Sequence, residues 1–302
     1  VLILDEAAVR KYLEMRALIP AVERALRALS AGEAVQPVRV MVPIAGQGGF
    51  LGSMPAYAGG QLGAKLVTFF PNNQGVPTHH ALVVLFKPDT GEPLAVMDGR
   101  LITEMRTAAV SAAATKTLAR RDAAVLAILG SGVQAQSHLE ALRLVRDFRE
   151  VRVWSPRNAR AFAERVGVRL ARSAKDAVRG ADVVLVATTS RTPVLEGEWL
   201  SPGMHVNAVG APRPDWRELD DNVLRKAKLY VEQREAAFRE SGDVIAGGKI
   251  FAEIGEVFGG SKPGRESAEE ITLFKSVGVA VEDLASAELV YRSASAAHGS
   301  TL

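Results

Sequence analysis

The sequence predicts an α/β protein in two parts: a doubly wound parallel sheet in the second half, and a strand-rich α+β domain built from the first half and the C-terminal segment. Three observations carry this. The chain has 302 residues, and at roughly 150 residues per domain that length favours two domains. Before residue 100, short apolar runs are separated by turns rich in Gly and Pro. After residue 121, short apolar runs alternate with helical patterns, and most lack the inside–outside alternation of a half-exposed strand. The expected division places residues 1–118 and 277–302 in one domain and 119–276 in the other.

Residues 5–31 read as one helix, with Val9, Leu13, Leu18, Val22, Leu26 and Leu29 near helical spacing and Gly32 as its stop. Val38–Ile44 reads as a strand interrupted by Pro43. Gly46–Gly49 is a hairpin turn, and Phe50–Met54 returns from it. Leu62–Phe70, Ala81–Lys87 and Leu94–Asp98 are further strands, the last two joined by a turn at Pro88–Gly91. Thr103–Leu118 is an Ala-rich helix with Thr103 as N-cap and Glu104 in the first turn. The later strands are Ala124–Leu129, Val151–Trp154, Val168–Ala171, Asp182–Ala187, His205–Val209 and Lys228–Val231. Helices are expected from the turn after Leu129 to about Arg146, over Asn158–Val166 and over Ala174–Val178. Ile271–Ser295 reads as a long Ala-rich helix that crosses back to the first domain. The tail, Ser293–Leu302, is expected to fray.

Composition narrows the function. Lys and Arg exceed Asp and Glu by 37 − 34, or +3. With no basic run, this excludes the electrostatic footprint of a nucleic-acid partner. No apolar stretch reaches the ~18 residues of a membrane span. The absence of cysteine excludes a thiolate zinc site and a Cys nucleophile. Val1–Leu4 is too short and lacks the basic flank of a leader, so the expected location is cytoplasmic. The sequence carries no zinc-type His pair, no G-x-S-x-G and no Walker lysine.

One motif does carry chemistry. Gly130-Ser131-Gly132-Val133-Gln134-Ala135 is G-x-G-x-x-A after an apolar strand and before a helix. Gly130 makes the tight turn, Gly132 admits a pyrophosphate, and Ala135 takes the third glycine's place at the helix–strand contact. The helix N-terminus offers N–H groups to the phosphates. This is the signature of a Rossmann-type domain. The next strand decides the nucleotide. An NAD site usually places Asp or Glu at its end, on the ribose 2′-OH. Here Val151–Trp154 runs into Ser155-Pro156-Arg157-Asn158 with no carboxylate. Ser155, Arg157 and Asn158 suit a 2′-phosphate, so NADPH (NADP) is the expected cofactor and NADH the lesser alternative.

Beyond this motif the chain resembles the ornithine cyclodeaminase/mu-crystallin family over nearly its whole length. The resemblance rests on Gln36–Arg39, Gly52–Tyr57, Lys65–Phe69, Ala95–Gly99, Arg106–Ser111, Asn207–Ala211, Arg213–Asp221, Glu240–Val244 and Phe274–Ser276. Trp216 with the run after it, and Phe251-Ala252-Glu253, resemble the mu-crystallin branch in particular. The resemblance implies a homodimer that uses NADPH to reduce cyclic ketimine carboxylates to cyclic imino acids. Two departures stand out. Cyclodeaminases carry an acid where this chain has Pro212, and a substrate-binding Glu where it has Gly52.

Reducing a C=N bond beside a carboxylate takes a hydride at carbon, a proton at nitrogen and a cation on the carboxylate. Arg39, Lys65 and Arg106 are the candidate cations, Lys65 also as a proton relay if its pKa is lowered by Arg neighbours. By resemblance, Arg106 and Thr107 open a helix and face the cofactor, as do Thr78 and His79. His79 is a candidate relay because imidazole titrates near neutrality. Thr188 and Thr189 end a strand where ligands sit in open α/β sheets. Val209 and Ser276 resemble nicotinamide contacts, while Phe50, Arg213 and Glu240 resemble substrate contacts. The proton source stays open among Lys65, His79, Glu240 and water. Within the family the alternatives are alanine dehydrogenase and ornithine cyclodeaminase. Outside enzymes, the alternative is a thyroid-hormone-binding crystallin, with Phe50 and Arg213 lining the site.

Overall fold

The computed structural model describes residues 1–297. The chain forms two compact units: Val1–Arg106 together with the chain from Val279 onward, and Thr107–Gly278. The first division therefore falls inside a helix, Gly99–Leu118, and not at its end.

The first unit begins with strand β1 (Leu2–Leu4) and helices α1 (Glu6–Tyr12) and α2 (Met15–Ser30). Strands β2 (Ala34–Val35), β3 (Val40–Ile44), β4 (Gly49–Ala58), β5 (Gln61–Phe69), β6 (His79–Phe86) and β7 (Pro93–Asp98) lead into α3 (Gly99–Leu118). The sheet runs β1-β7-β6-β5-β4-β2, with β3 also paired to β4. All pairings are antiparallel except β1 with β7. Pro43 remains inside β3 because β3 pairs on one side only, where a missing N–H costs no ladder bond.

The sequence expectation of a single helix over 5–31 is corrected. Leu2–Leu4 pairs with Ala95–Met97 as a strand, and the helix breaks at Leu13–Glu14, where the backbone is extended. The apolar stripe explains the break. It steps by four from Val9 to Leu13, by five to Leu18, then by four again, and a step of five slips the helical period. Ending one helix and starting another turns both stripes inward, with Val9, Leu13, Leu18, Val22 and Leu26 all buried. Thr103 is likewise not an N-cap. The helix starts four residues earlier, Asp98 accepts from the Leu101 N–H at 3.1 Å, and the Thr103 hydroxyl donates back to Gly99 O at 2.7 Å.

The second unit contains β8 (Val125–Leu129), α4 (Val133–Arg143), β9 (Glu150–Trp154), α5 (Ala159–Val166), β10 (Arg169–Leu170) and α6 (Ala174–Val178). Next come β11 (Val183–Val186), β12 (His205–Ala208), α7 (Asp221–Lys226), β13 (Lys228–Val231), α8 (Arg234–Glu240) and α9 (Gly242–Ile245). β14 (Ile250–Glu253), α10 (Ile254–Phe258) and β15 (Thr272–Lys275) complete it. Eight parallel strands run β10-β9-β8-β11-β12-β15-β13-β14. The order reverses beside β8, and in such sheets ligands bind at the carboxyl ends of the strands flanking the reversal. The fully buried runs of β8 and β11 are the continuous apolar stretches that the sequence displays, while β12, equally buried, carries the polar His205 and Asn207, paired with Thr272 and Thr115.

The expectation of one helix over Ile271–Ser295 is also corrected. Thr272–Lys275 forms β15, clamped between β12 and β13 and wholly buried. A turn at Gly278 (φ +76°) follows, and Glu232 accepts from the N–H groups of Val277 and Gly278, both at 3.1 Å. The last helix, α11 (Ala280–Ala297), packs on α2 and on β4, β5 and β6. Ser293–Ala297, expected to fray, are helical, and the rest of that tail lies outside the described residues. Among the described residues, no helix is long and apolar enough to cross a membrane, and no cluster of three or more His, Cys, Asp or Glu side chains could hold a metal ion.

Candidate active site

In the first unit the site starts from strand alternation. Lys65 lies opposite Met54 on β4 and Val83 on β6, and Val83 lies opposite Met97 on β7. Met54, Val83 and Met97 are buried, and Lys65 itself is 2% exposed. An ammonium in such a row is costly unless it is paired. Its partner is Asp283 in the first turn of α11, with Nζ 2.8 Å from Oδ2. The other oxygen of Asp283 accepts from Arg106 Nε at 3.1 Å, and Arg106 Nη1 donates to Glu282 Oε2 at 2.7 Å. Two cations and two carboxylates thus form one buried chain.

Burial is the main cause that brings the Lys65 pKa down, to about 8; Asp283 opposes it, while Arg106 and Arg39 push the same way. The sequence expectation had the direction right but gave the leading part to arginines. Burial works to raise the Asp283 pKa, yet the charges of Arg106 and Lys65 and their hydrogen bonds prevail and hold it below the ordinary carboxylate value. Arg39, half-buried just before β3, completes the cationic group.

Phe50, Phe69 and His79 form the next row of the same sheet face, two residues along from Val67 and Ala81. The Phe50 and Phe69 rings lie 5.7 Å apart. Burial, then the charges of Lys65 and Arg106, lower the His79 pKa to about 4. The expectation that His79 titrates near neutrality is therefore corrected: its ring is neutral at physiological pH. Thr78 is exposed just before β6. Gly52 shares this face, where a Cβ would lie 3.1 Å from both Met41 Sδ and Val67 Cγ1.

In the second unit the turn after β8 is shaped for a diphosphate. Gly130 has φ +127°, and a Cβ there would lie 2.2 Å from Ala187 O. Gly132, at the N-cap of α4, faces open space, and no side chain caps the helix. Val133 is exposed, Gln134 is partly buried, and Ala135 is fully buried against the sheet. At the end of β9 the Ser131 and Ser155 hydroxyls lie 2.8 Å apart, and both bond to Arg157 O. Arg157 and Asn158 are exposed, Asn158 in the left-handed region (φ +59°). These residues fit a dinucleotide: a glycine cradle, an uncapped helix N-terminus, and hydroxyl and guanidinium groups in the segment Ser155–Asn158, whose sequence holds no carboxylate.

At the neighbouring strand ends, Thr188 donates through N–H and hydroxyl to Glu218 Oε1, each at 2.7 Å. Thr189 is exposed, and Val209 is half-buried one residue past β12. The Ser276 N–H donates to Ala208 O at 2.9 Å. Lys275 is fully buried, with Nζ 3.2 Å from Asp243 Oδ2 and 3.8 Å from Glu218 Oε2, and it donates to Gly210 O. Burial pushes the Glu218 pKa up to about 7, against Lys275 and the Thr188 hydrogen bonds. Arg213 and Arg191 lie over the Trp216 ring at 5.7 and 5.5 Å. The Gly242 N–H donates to Arg213 O at 3.0 Å, joining this loop to the end of α8, where Glu240 is buried.

The sequence pattern that defines the ornithine cyclodeaminase/mu-crystallin family matches residues 1–298. The chain belongs to this family. Ketimine reductase mu-crystallin of Mus musculus is 53% identical over 288 residues, covering 91% of each chain. The Thermococcus litoralis Δ1-pyrroline-2-carboxylate reductase, solved with NADH and L-proline, has a TM-score of 0.94, 40% identity and 99% coverage of both chains. An archaeal alanine dehydrogenase dimer with bound NAD also has a TM-score of 0.94, with 39% identity, covering 100% of this chain and 98% of that one.

For this member of the ornithine cyclodeaminase/mu-crystallin family, the first unit gathers Arg39, Phe50, Lys65, His79 and Arg106, and the second gathers the nucleotide turn, Thr188, Arg213 and Glu240. Arg106 does not open a helix as expected. It sits in the second turn of α3 with its guanidinium held by Asp283 and Glu282, and Thr107 follows it, buried. Sequence reasoning missed Glu282, Asp283, Glu218, Asp243 and Lys275. The signal for the first two was an acid pair inside the apolar run Val277–Leu284, which a helix first turn explains away too easily.

Proposed function

We propose that this protein reduces cyclic ketimine carboxylates to cyclic imino acids with NADPH as hydride source. The observation that carries the reading is the buried Lys65 ammonium, 2.8 Å from Asp283 and grouped with Arg39 and Arg106, in a chain that also offers an open dinucleotide turn. A carboxylate needs that cationic group, and an imine nitrogen needs a proton donor that titrates near the working pH. The bound dinucleotide supplies the hydride. Arg39 and Arg106 orient the substrate carboxylate, Phe50 borders the ring, and Lys65 serves the nitrogen side. Within the second unit, Thr107, Thr188, Thr189, Val209 and Ser276 are the residues we assign to the nicotinamide, and Arg213 and Glu240 are assigned to the substrate; Thr78 in the first unit is assigned to the cofactor. Positioning of this kind supplies much of the rate.

The preference for NADPH rests on Ser155, Arg157 and Asn158 at the end of β9. The relatives described above were solved with NADH and NAD, so the 2′-phosphate is the point to test. A homodimer is supported by the sheet face turned away from α11, where Val40, Val42, Leu51, Tyr57, Leu66 and Leu82 are exposed. A patch of this kind marks an association surface.

The test is a panel of rates: NADPH or NADH with a cyclic ketimine acid, with pyruvate plus ammonia, and NAD with ornithine, followed by absorbance and product analysis. Oxidation of NADPH by the ketimine alone supports the reading. Alanine as the faster product, or proline from ornithine, overturns it.

A further inference from the structure

We infer that Asp283 is the positioning residue of this site: its carboxylate bridges Lys65 and Arg106 and keeps the Lys65 ammonium charged where the imine nitrogen is protonated. The inference deepens the proposed reduction and rests on it. Its basis is geometric. Asp283 Oδ2 lies 2.8 Å from Lys65 Nζ, Oδ1 lies 3.1 Å from Arg106 Nε, and the carboxylate is wholly out of solvent. One rigid group therefore fixes the spacing of two cations carried on different elements, β5 and α3. Its own anchor is the first turn of α11, where Glu282 takes the other face of Arg106 at 2.7 Å.

The groups that act on Lys65 are few. Asp283 from α11 favours the charged form; Arg106 from α3 and Arg39 from before β3 disfavour it, as does burial in the apolar row of Met54, Val83 and Met97. His79 on β6 is neutral and adds no charge. Among the described residues, Asp283 is the carboxylate in direct contact that supplies the opposing negative charge. Without it, burial and two guanidinium groups would leave Lys65 a neutral amine at working pH.

In the chemical step a hydride forms the new C–H bond at the imine carbon, and the C=N π pair moves to nitrogen. Nitrogen takes a proton from Lys65 Nζ, and the neutral amine regains one from solvent. The sum is ketimine, NADPH and a proton giving the imino acid and NADP. A Lys65 that lost its proton at lower pH would fail in this step before it failed in carboxylate binding, since Arg39 and Arg106 would remain.

The test compares the full-length wild type with D283N and D283E. Asn keeps the shape and drops the charge, and Glu restores the charge. Two quantities are read over about pH 6 to 10. One is kcat/KM for the cyclic ketimine acid with NADPH. The other is the titration midpoint of Lys65, read by NMR on lysine side-chain label and assigned with K65R. In D283N both the alkaline limb and the Lys65 midpoint should move ~1 pH unit to the acid side, with roughly a fivefold loss at pH 8 and little change at pH 6. D283E should recover most of the shift. A uniform loss at every pH with an unmoved Lys65 midpoint would mean a purely structural role and would overturn the inference. If the wild type reduces no ketimine, the proposed function fails, and the Lys65 midpoint in D283N still decides the electrostatic role by itself.

Discussion

Glu218 Oε1 receives two hydrogen bonds from Thr188, from its N–H and its hydroxyl, both at 2.7 Å. The carboxylate thereby ties the end of β11 to Lys275 at the end of β15 and to Asp243, whose Oδ1 accepts from the N–H groups of Glu218 and Leu219. Burial raises the Glu218 pKa from 4.5 to about 7. The native state therefore holds a proton that the unfolded chain has already released between those values. Stability contributed by this group is fully present below pH 4.5 and falls as pH rises through 7. The ceiling on the loss is ~3 kcal/mol. E218Q keeps the acceptor for Thr188 and removes the titration. Denaturation measured between these pH values should show a flatter pH slope in the variant than in the wild type. Parallel slopes would show that Glu218 is ionised throughout.

The two motif glycines should fail in different ways. Gly130 combines φ +127° with a would-be Cβ contact of 2.2 Å to Ala187 O, so G130A must push strand ends apart. A loss of ~3 kcal/mol of stability is expected, read by denaturation. Gly132 has ordinary φ (−87°) and open space. G132A should fold as the wild type does, while its methyl group intrudes where the diphosphate approaches α4. Its dinucleotide Kd should rise ~10-fold or more, about 1.4 kcal/mol. Unchanged affinity in G132A would remove the turn from the cofactor site.

These glycines were legible in the sequence because a strand, a tight turn and a helix are local, and residues ten apart suffice to specify them. The parallel sheet was legible for the same reason, through the apolar runs of β8 and β11. The charge chain was not. Lys65 and Asp283 are more than 200 positions apart, and nothing local marks Asp283 as a partner and not a first-turn acid. β15 was hidden differently. Thr272–Lys275 is short, and the Ala-rich helix after Gly278 extends the same apolar pattern. Only its place between β12 and β13 makes it a strand. Arg106 shows a third limit: its helix starts at Gly99, an unfavourable first residue that Asp98 offsets by capping.

Cofactor choice should follow Arg157. The guanidinium is exposed at the end of β9, where an NAD site would carry an acid. A charge-assisted hydrogen bond to a 2′-phosphate contributes about 1.5–3 kcal/mol, or roughly 10- to 100-fold in affinity. R157A should lose that factor in kcat/KM for NADPH and leave NADH within about twofold. Equal losses for both cofactors would assign Arg157 a scaffold role.

His79 gives a prediction about pH. Its pKa is lowered from 6.5 to about 4, first by burial and then by Lys65 and Arg106. A group depressed in this way is neutral in the native state across the neutral range, so it imposes no rate limb near 6.5. Between 6.5 and 4 the unfolded chain gains a proton that the native state refuses, and stability falls as pH drops through that window. The kcat/KM profile of H79Q between about pH 6 and 7.5 should keep the wild-type shape, whatever its height. A limb near 6.5 that vanishes in H79Q would show that the imidazole titrates during turnover.

The exposed sheet face predicts the oligomer. Leu66 on β5 lies directly opposite Leu82 on β6, the two being 41% and 49% exposed. Val40 lies opposite Ser53, which in turn faces Leu66, while Val42 faces Leu51 one row over. Alternation sends all of these away from the face that carries Lys65, so charges placed here leave the buried Lys65–Asp283 pair untouched. Burying one leucine against a second copy contributes ~1.5–3 kcal/mol, and a two-fold interface counts each position twice. L66K/L82K removes four such burials and sets like charges against each other. Sedimentation should show the wild type as a dimer and the variant as a monomer, with a dissociation constant raised at least ~100-fold. Circular dichroism should be unchanged, since neither side chain contributes to the core. A variant that sediments with the wild type would place the dimer contact elsewhere.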